Sequence, residues 1–473
     1  MEKTTYIAVI PCPGFSHLVP ILELSKRLIH YHPHFHITCI IPTHGSPPTT
    51  STAYLQTLPP NIDTIFLPPV TTDDTWQLSD PVVQINLVLT KSLPSLHNAL
   101  RDLNSKTPFS ALVADVFAIE ALDFAKELST LSFVYFASPA MTLSLLLHMP
   151  KLDEMISGEF RDQSEPILIP GCVPLHGRDL PDPVQERSSQ AYEQFLQLGK
   201  RLYNVDGILL NSFMEMEEGP IKALTQEGGG NSNTSTNNPP VYPVGPITYN
   251  GSKQEDLECL RWLDKQPSKS VLYVSFGSGG TLSQHQINEL ALGLELSEKK
   301  FLWVLRAPSN IASSAYLGSK NEDPLEFLPQ GFLERTKEQG LVVPSWAPQI
   351  PILSHSSVGG FLSHCGWNST LESVQKGVPF ISWPLFAEQR MTAVMISEDL
   401  KVGVRPEVDE NGIVVRDEIA KVIKCLMEDE EGEEIKKRMK GLKDAAVNAV
   451  KDDGSSTKAL LEVALKWTNF SGV

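Results

Sequence analysis

Two stretches of the chain carry side chains of the kind that move protons or hold phosphates. The first surrounds His17. A strand-like run, IAVI at 7–10, leads into PCPGFSH, and helical spacing starts at about Val19. That order puts His17 in the loop at the carboxyl end of the first strand, the usual rim of an active site in an open α/β sheet. Asp115 closes another strand-like run, ALVA at 111–114, so both side chains can reach one rim. An imidazole oriented by a carboxylate is the standard general-base pair, because the acid fixes the tautomer and stabilises the imidazolium. The alternative is a loop histidine and a capping aspartate. Ser16 beside His17 raises a serine-hydrolase reading, but adjacent side chains point apart, and Leu18 stands where a G-x-S-x-G elbow needs glycine.

The second stretch, 346–389, reads WAPQIPILSHSSVGGFLSHCGWNSTLESVQKGVPFISWPLFAEQ. A strand over 360–362 runs into SHCG, and a helix is expected from about Asn368, where Asn368, Ser369 and Thr370 are good capping types. The free N–H groups of such a helix start form an anion site. His364 lies beside it as a phosphate donor. Glu372, one turn deeper on the same face, would repel phosphate but suits the neighbouring hydroxyls of a ribose. Trp346 offers a flat surface for a base, worth about 1–3 kcal/mol when stacked, and Gln349 offers both a donor and an acceptor to a base edge. Stack, edge reader, phosphate site and ribose carboxylate therefore come in order for one nucleotide diphosphate. A further loop, FGSGGT at 276–281, follows a strand and precedes a helix. It lacks G-x-G-x-x-G spacing, which argues against a dinucleotide; it brings Ser278 and backbone N–H groups towards phosphate, or else is a tight turn only.

The elements that must position these groups alternate along the whole chain. Strands are expected over 7–10, 37–41, 64–67, 111–114, 133–136 and 207–210, with helices over 19–29, 82–103, 119–128 and 191–203. Near-continuous apolar strands point to parallel sheets covered on both faces. A Gly/Ser/Asn/Thr tract over 227–238 reads as a mobile surface loop, and PPVYPVGP at 239–246 as a stiff extended connector. The alternation restarts with strands over 271–276, 301–304, 341–343, 360–362 and 380–382. The expected fold is α/β: two Rossmann-like doubly wound parallel-sheet domains facing across a cleft, 1–244 carrying the His17 rim and 255–453 the nucleotide stretch, with a linker over 245–254. A C-terminal helix, 454–473, can dock back on the first domain. The runner-up is one α/β domain with an appended helical domain.

Composition narrows the partners. Of 473 residues 41% are hydrophobic and 20% charged, enough for large cores. The balance of 39 Lys+Arg against 56 Asp+Glu leaves −17, unsuited to nucleic acid or anionic lipid. MEKTTYIAVIPCPG lacks the shape of a secretory signal, and 133–149 is broken by Pro139 and short for a bilayer span. Six cysteines without a C-x-x-C pair fit reduced thiols. A cytoplasmic monomer without stable membrane insertion is expected. His30, His32, His34 and His36 alternate, but run from a helix end through Pro33 into a strand, so no regular geometry gathers them around a metal.

The 346–389 stretch resembles the signature box of plant secondary-product UDP-glycosyltransferases, with its W-A-P-Q start, H-C-G-W-N-S-x-x-E centre and acidic-Gln end. The resemblance extends along the chain and is nearest to the hydroquinone glucosyltransferase group, through WPLFAEQ and VLYVSFGSGGTLS. It implies the GT-B arrangement and an inverting transfer of glucose from UDP-glucose to a small phenolic acceptor, with His17 as base and Asp115 as its partner. By the same resemblance Trp346, Ala347 and Gln349 hold uracil, Glu372 the ribose, and His364, Asn368, Ser369 and Ser278 the diphosphate. Trp367 (through its backbone), Glu388 and Gln389 hold the sugar. Ser138 stands where the family often places a sugar-contacting hydroxyl. The family more often has Asp at the position of Glu388 and Gly at that of Ser16; Gln389 in the last position favours glucose over galactose. Ser16, Val116, Phe117, Met141 and Leu145 are candidates for the acceptor pocket, with core packing as the other reading of the apolar ones. No Asp-x-Asp occurs, so no metal or other cofactor is expected. The rival outside transferases is a catalytically silent nucleotide-sugar-binding module.

Overall fold

Apolar runs of four to seven residues become strands, buried on both faces at the centre of the sheet and partly exposed in the edge strand Ile62–Phe66. In the computed structural model these are β1 (Thr5–Ile10), β2 (Phe35–Ile41), β3 (Ile62–Phe66), β4 (Ala111–Asp115), β5 (Leu131–Phe136), β6 (Gly207–Leu210) and the short β7 (Val241–Pro243). The structure describes residues 4–45, 49–71, 81–225, 238–249, 257–313 and 323–470. The tract at 227–237 and linker positions 250–254 lie outside the described residues. The chain divides into two compact units: Met1–Arg178 with Pro183–Tyr249 and Asn448–Val473, and Asp179–Asp182 with Asn250–Val447.

In the first unit all seven strands pair in parallel, in the order β3-β2-β1-β4-β5-β6-β7. The chain leaves β1 towards one edge and resumes at β4 towards the other. The order therefore reverses between β1 and β4, where Val9 lies beside Val113, and a parallel sheet opens its ligand crevice at the carboxyl ends of such a pair. The last helix, Ser455–Thr468, belongs to this unit's core through Leu460, Val463 and Trp467. Trp467 meets Phe133 edge-on at 5.2 Å. Arg27, on the helix Phe15–Tyr31, donates to the Val450 carbonyl at 3.2 Å and to Thr457 Oγ1 at 2.7 Å.

Three local expectations are corrected. PPVYPVGP is extended, yet it is not a free connector: Val241, Tyr242 and Pro243 pair with Ile208, Leu209 and Leu210. Proline is tolerated there because β7 is the sheet's edge. The first helix begins at Phe15 instead of Val19. Gly14, at φ 117, makes the sharp entry, so His17 sits in the first helical turn and not in a loop. The expected helix over 119–128 is a 3₁₀ helix, Val116–Phe124, that starts directly after β4.

In the second unit β8 (Val271–Ser275), β9 (Lys300–Leu305), β10 (Gly340–Pro344), β11 (Val358–Ser363), β12 (Phe380–Ser382) and β13 (Gly403–Val404) run in parallel as β10-β9-β8-β11-β12-β13. The reversal falls between β8 and β11. One face is closed by the helices Gln284–Ser297 and Arg416–Glu428, whose Leu290, Leu294, Ile419 and Ile423 join Leu272, Val274 and Trp303 in one core. No helix among the described residues is long and apolar enough to cross a membrane.

Candidate active site

At the first reversal His17 Nδ1 lies 2.9 Å from Asp115 Oδ2, with Asp115 fully buried and His17 19% exposed. The two side chains come from positions 98 residues apart and meet because β1 and β4 are neighbours. Asp115 is also fixed from its other oxygen. Oδ1 accepts from the Phe117 backbone N–H at 3.0 Å, capping the 3₁₀ helix. The capping role weighed against catalysis is therefore real, but one carboxylate oxygen performs it while the other faces the imidazole. Phe117 turns its ring edge-on to His17 at 5.6 Å. Burial first, and then the charge of Asp115, holds the Cys12 thiol well above its ordinary range; Tyr135, beside Asp115 on β5, is raised in the same way.

At the second reversal the loops after β8 and β11 close on one imidazole. A Cβ on Gly277 would lie 2.5 Å from His364 Nε2, and one on Gly366 would lie 2.4 Å from the same atom. Gly277 also sits at φ +72, so both close approach and backbone conformation require glycine there. Burial pushes His364 down to about 4, so its ring is neutral at pH 7 and carries one N–H donor. Its Nδ1 is buried without a hydrogen-bond partner. The helix beyond it spans Trp367–Lys376 with Gly366 as its N-cap and no side-chain cap. Asn368 and Ser369 thus stand in the first turn, and are not caps as their types suggested.

Gln349 opens the helix Gln349–Ser354 and donates to Glu372 Oε2 at 2.7 Å and to Ser369 Oγ at 2.8 Å. Three residues expected to touch uracil, ribose and phosphate are thereby one hydrogen-bonded group. Burial raises Glu372 to about 7, against the opposing effects of the Gln349 bond and the Lys376 charge. Trp346 is 59% exposed, unusual for so large an apolar ring, while Ala347 and Trp367 are buried. Ser278 is exposed at the tip of its loop, and Ser138 is half-buried. Gln389 is buried, and its Oε1 accepts from the backbone N–H groups of Leu385 and Phe386 at 2.9 and 3.0 Å. That oxygen shapes the turn before Glu388, leaving Nε2 as the amide's donor. Among the apolar candidates Val116, Met141 and Leu145 are buried, and Ser16 is half-buried.

Known proteins match the chain over its length. Residues 240–443 match the family described as "UDP-glucoronosyl and UDP-glucosyl transferase". A hydroquinone glucosyltransferase from Rauvolfia serpentina is 50% identical, covering 99% of both chains. UDP-glycosyltransferase 72B1 from Arabidopsis thaliana is 49% identical over 98% of this chain and 97% of its own. The chain belongs to the UDP-glycosyltransferase family. Among solved structures, a Polygonum tinctorium UDP-glucosyltransferase described as capable of glucosylating indoxyl, solved in complex with 3,4-dichloroaniline, has a TM-score of 0.91 at 47% identity, covering 99% of this chain and 100% of that one. Phytolacca americana UGT2, solved with UDP-2-fluoroglucose and pterostilbene, has a TM-score of 0.89 at 47% identity, covering 98% and 100%.

Two features of this glycosyltransferase escaped sequence reasoning. Arg306, at the end of β9, donates from Nε to the Gly277 carbonyl at 3.3 Å and has no carboxylate partner among the described residues. Burial pushes its guanidinium down, but an arginine stays charged at neutral pH, and a cation is held under the Ser278 loop. Its signal is an arginine directly after the apolar run FLWVL, weak by itself. Buried Glu217 accepts from the Ala140 and Met141 N–H groups at 2.8 and 3.0 Å and from Ser212 Oγ at 2.6 Å. It seats the helix after Ser138, and nothing in its sequence neighbourhood marks it.

Proposed function

We propose that this enzyme is an inverting UDP-glucose-dependent glucosyltransferase that forms β-glucosides of small phenolic acceptors. The observation that carries the reading is the 2.9 Å contact of His17 Nδ1 with buried Asp115 at the reversal of the first sheet. With Nδ1–H donated to the carboxylate, Nε2 is the ring's basic atom. The acceptor oxygen attacks the anomeric carbon, the bond to UDP breaks with its electron pair leaving on the diphosphate, and the phenolic proton passes to Nε2. Phenols ionise near pH 10, so a base helps substantially; 10²–10⁴-fold corresponds to about 2.7–5.4 kcal/mol.

On the donor side, exposed Trp346 with Ala347 and Gln349 takes the uracil, and Glu372 takes the ribose hydroxyls. His364, Asn368, Ser369 and Ser278 meet the diphosphate, while the Trp367 backbone, Glu388, the Nε2 of Gln389 and Ser138 take the sugar. Phe117 lines the acceptor beside the base together with Ser16; Val116, Met141 and Leu145 support that wall from behind. The transfer needs no metal in this reading, because the leaving charge is met by His364, the start of the helix Trp367–Lys376, hydroxyl donors and the Arg306 charge. The names of the relatives support phenolic acceptors.

Purified protein with UDP-glucose and a panel of phenols beginning with hydroquinone tests this. UDP release that depends on the phenol, with a β linkage by NMR, is expected. UDP-glucose binding without turnover would mean a silent module, and an α linkage would overturn inversion. Size-exclusion chromatography and cell fractionation check the expected cytoplasmic monomer.

A further inference from the structure

One group at the first reversal has no part in the transfer. Cys12 leaves the end of β1 five residues before His17, and its side chain is 1% exposed. Its Sγ, a ring nitrogen of His17 and a carboxylate oxygen of Asp115 all lie within 4.8 Å of one another. The three donors come from three elements: the turn after β1, the first turn of the helix Phe15–Tyr31, and the end of β4. Their convergence is fixed by the β1–β4 pairing and needs no loop to fold around an ion.

We propose that Cys12, His17 and Asp115 form an inhibitory site for a thiophilic divalent cation, with Zn²⁺ as the probe. One thiolate, one imidazole and one carboxylate with an open side is a ligand set that zinc accepts in tetrahedral form. Bonds of about 2.0–2.3 Å place tetrahedral ligand atoms about 3.3–3.7 Å apart. The His17–Asp115 edge is already shorter than this, and the thiol edges must close by about 1 Å at most. On binding, the thiol proton leaves to solvent, the ring proton of His17 passes from Nδ1 to Nε2, a Zn–S bond forms, and zinc exchanges waters for Nδ1 and the carboxylate oxygen; no electron is transferred. Thiolate and carboxylate together neutralise the dication, the condition for holding charge at so buried a place. The imidazole, engaged by the metal, can no longer take the acceptor's proton. Inhibition thus rests on the base role proposed for His17, whereas occupancy of the site does not.

Two measurements on the full chain separate these. Co²⁺ added to the purified protein is expected to give a thiolate-to-metal charge-transfer band, lost in Cys12→Ala and kept in a Cys172→Ser/Cys425→Ser variant that removes the two half-buried thiols. Zn²⁺ is expected to inhibit phenol-dependent UDP release reversibly, with EDTA restoring activity. Cys12→Ala should keep its basal rate and require at least about tenfold more Zn²⁺ for the same inhibition. Cys12→Ser, nearly isosteric, serves if the alanine variant folds poorly. A band that persists without Cys12, or disappears with Cys172 and Cys425, overturns the site. A Cys12-dependent band without inhibition overturns the blocking of His17.

Discussion

The two units share a topological device and surround it with opposite kinds of side chain. Each parallel sheet reverses its strand order at a central pair, β1–β4 in one and β8–β11 in the other, and each places a histidine just beyond that reversal. In the first unit the histidine faces a buried carboxylate at 2.9 Å, with a thiol and a phenol whose ionisation that charge opposes. In the second, the histidine is pressed between two glycines and kept neutral by burial, and an arginine holds the carbonyl of one of those glycines. The sheets supply only position. In the function proposed above, the residues just past each strand end decide whether the crevice accepts a proton or an anion.

The largest effect that could break this division belongs to His17. His17→Ala is expected to lower kcat by about 10²–10⁴-fold while UDP-glucose binding, measured by calorimetry, stays unchanged. A near-normal rate would remove the base from the first crevice. Next comes Glu372→Ala, which should raise the UDP-glucose KM about 10–100-fold, the worth of hydrogen bonds to a charged group, and leave the acceptor KM alone. A donor KM that stays put would take Glu372 out of the second crevice.

Smaller, and aimed at the packing of that crevice, is Gly277→Ala. The added methyl would fall 2.5 Å from the His364 ring, at φ +72. The left-handed conformation alone costs about 1–2 kcal/mol, so a lower Tm and a donor KM raised about tenfold are expected, with the acceptor KM unaffected. Equal loss in both KM values would show that the glycine serves general stability and not the anion site.

A one-dimensional pattern encodes some of these contacts and hides others. Strand runs are local, so the strands flanking both histidines were visible, and with them the meeting of His17 and Asp115. The box from Trp346 to Gln389 was visible because its groups succeed one another along two loops and two helices. Contacts made by a side chain turning back on its own backbone leave no such trace. The resemblance offered Gln389 as a sugar contact, but nothing in the sequence showed the commitment of its Oε1 to the turn at Leu385 and Phe386. The same holds for Arg306, whose target is a carbonyl 29 residues earlier. Two edge strands were missed for another reason: β7 and β13 have three and two residues, too few for any periodicity, and the prolines around β7 mimic a linker. The helix start at Phe15 was displaced because Pro20, inside the helix, resembles the proline that normally marks a first turn.

A last effect, read on stability and not on turnover, sharpens the contrast through Glu372. Its carboxyl is raised from 4.5 to about 7 in the folded chain. Between those values the folded state binds more protons than the unfolded one, so stability falls as pH rises from about 4.5 to 7 and stays lower above that. The difference of 7 − 4.5 = 2.5 units corresponds to an upper bound on the order of 3 kcal/mol. Glu372→Gln keeps the hydrogen-bonding shape without the charge. It should match the wild-type Tm at pH 4 and exceed it at pH 8, by about 2–4 °C for each kcal/mol in a unit of this size. Ribose hydroxyls that donate to the carboxylate favour its charged form, so saturating UDP should flatten the wild-type pH dependence and leave the glutamine variant unchanged. A wild-type slope that survives UDP would place Glu372 beside the nucleotide site and not in contact with its ribose.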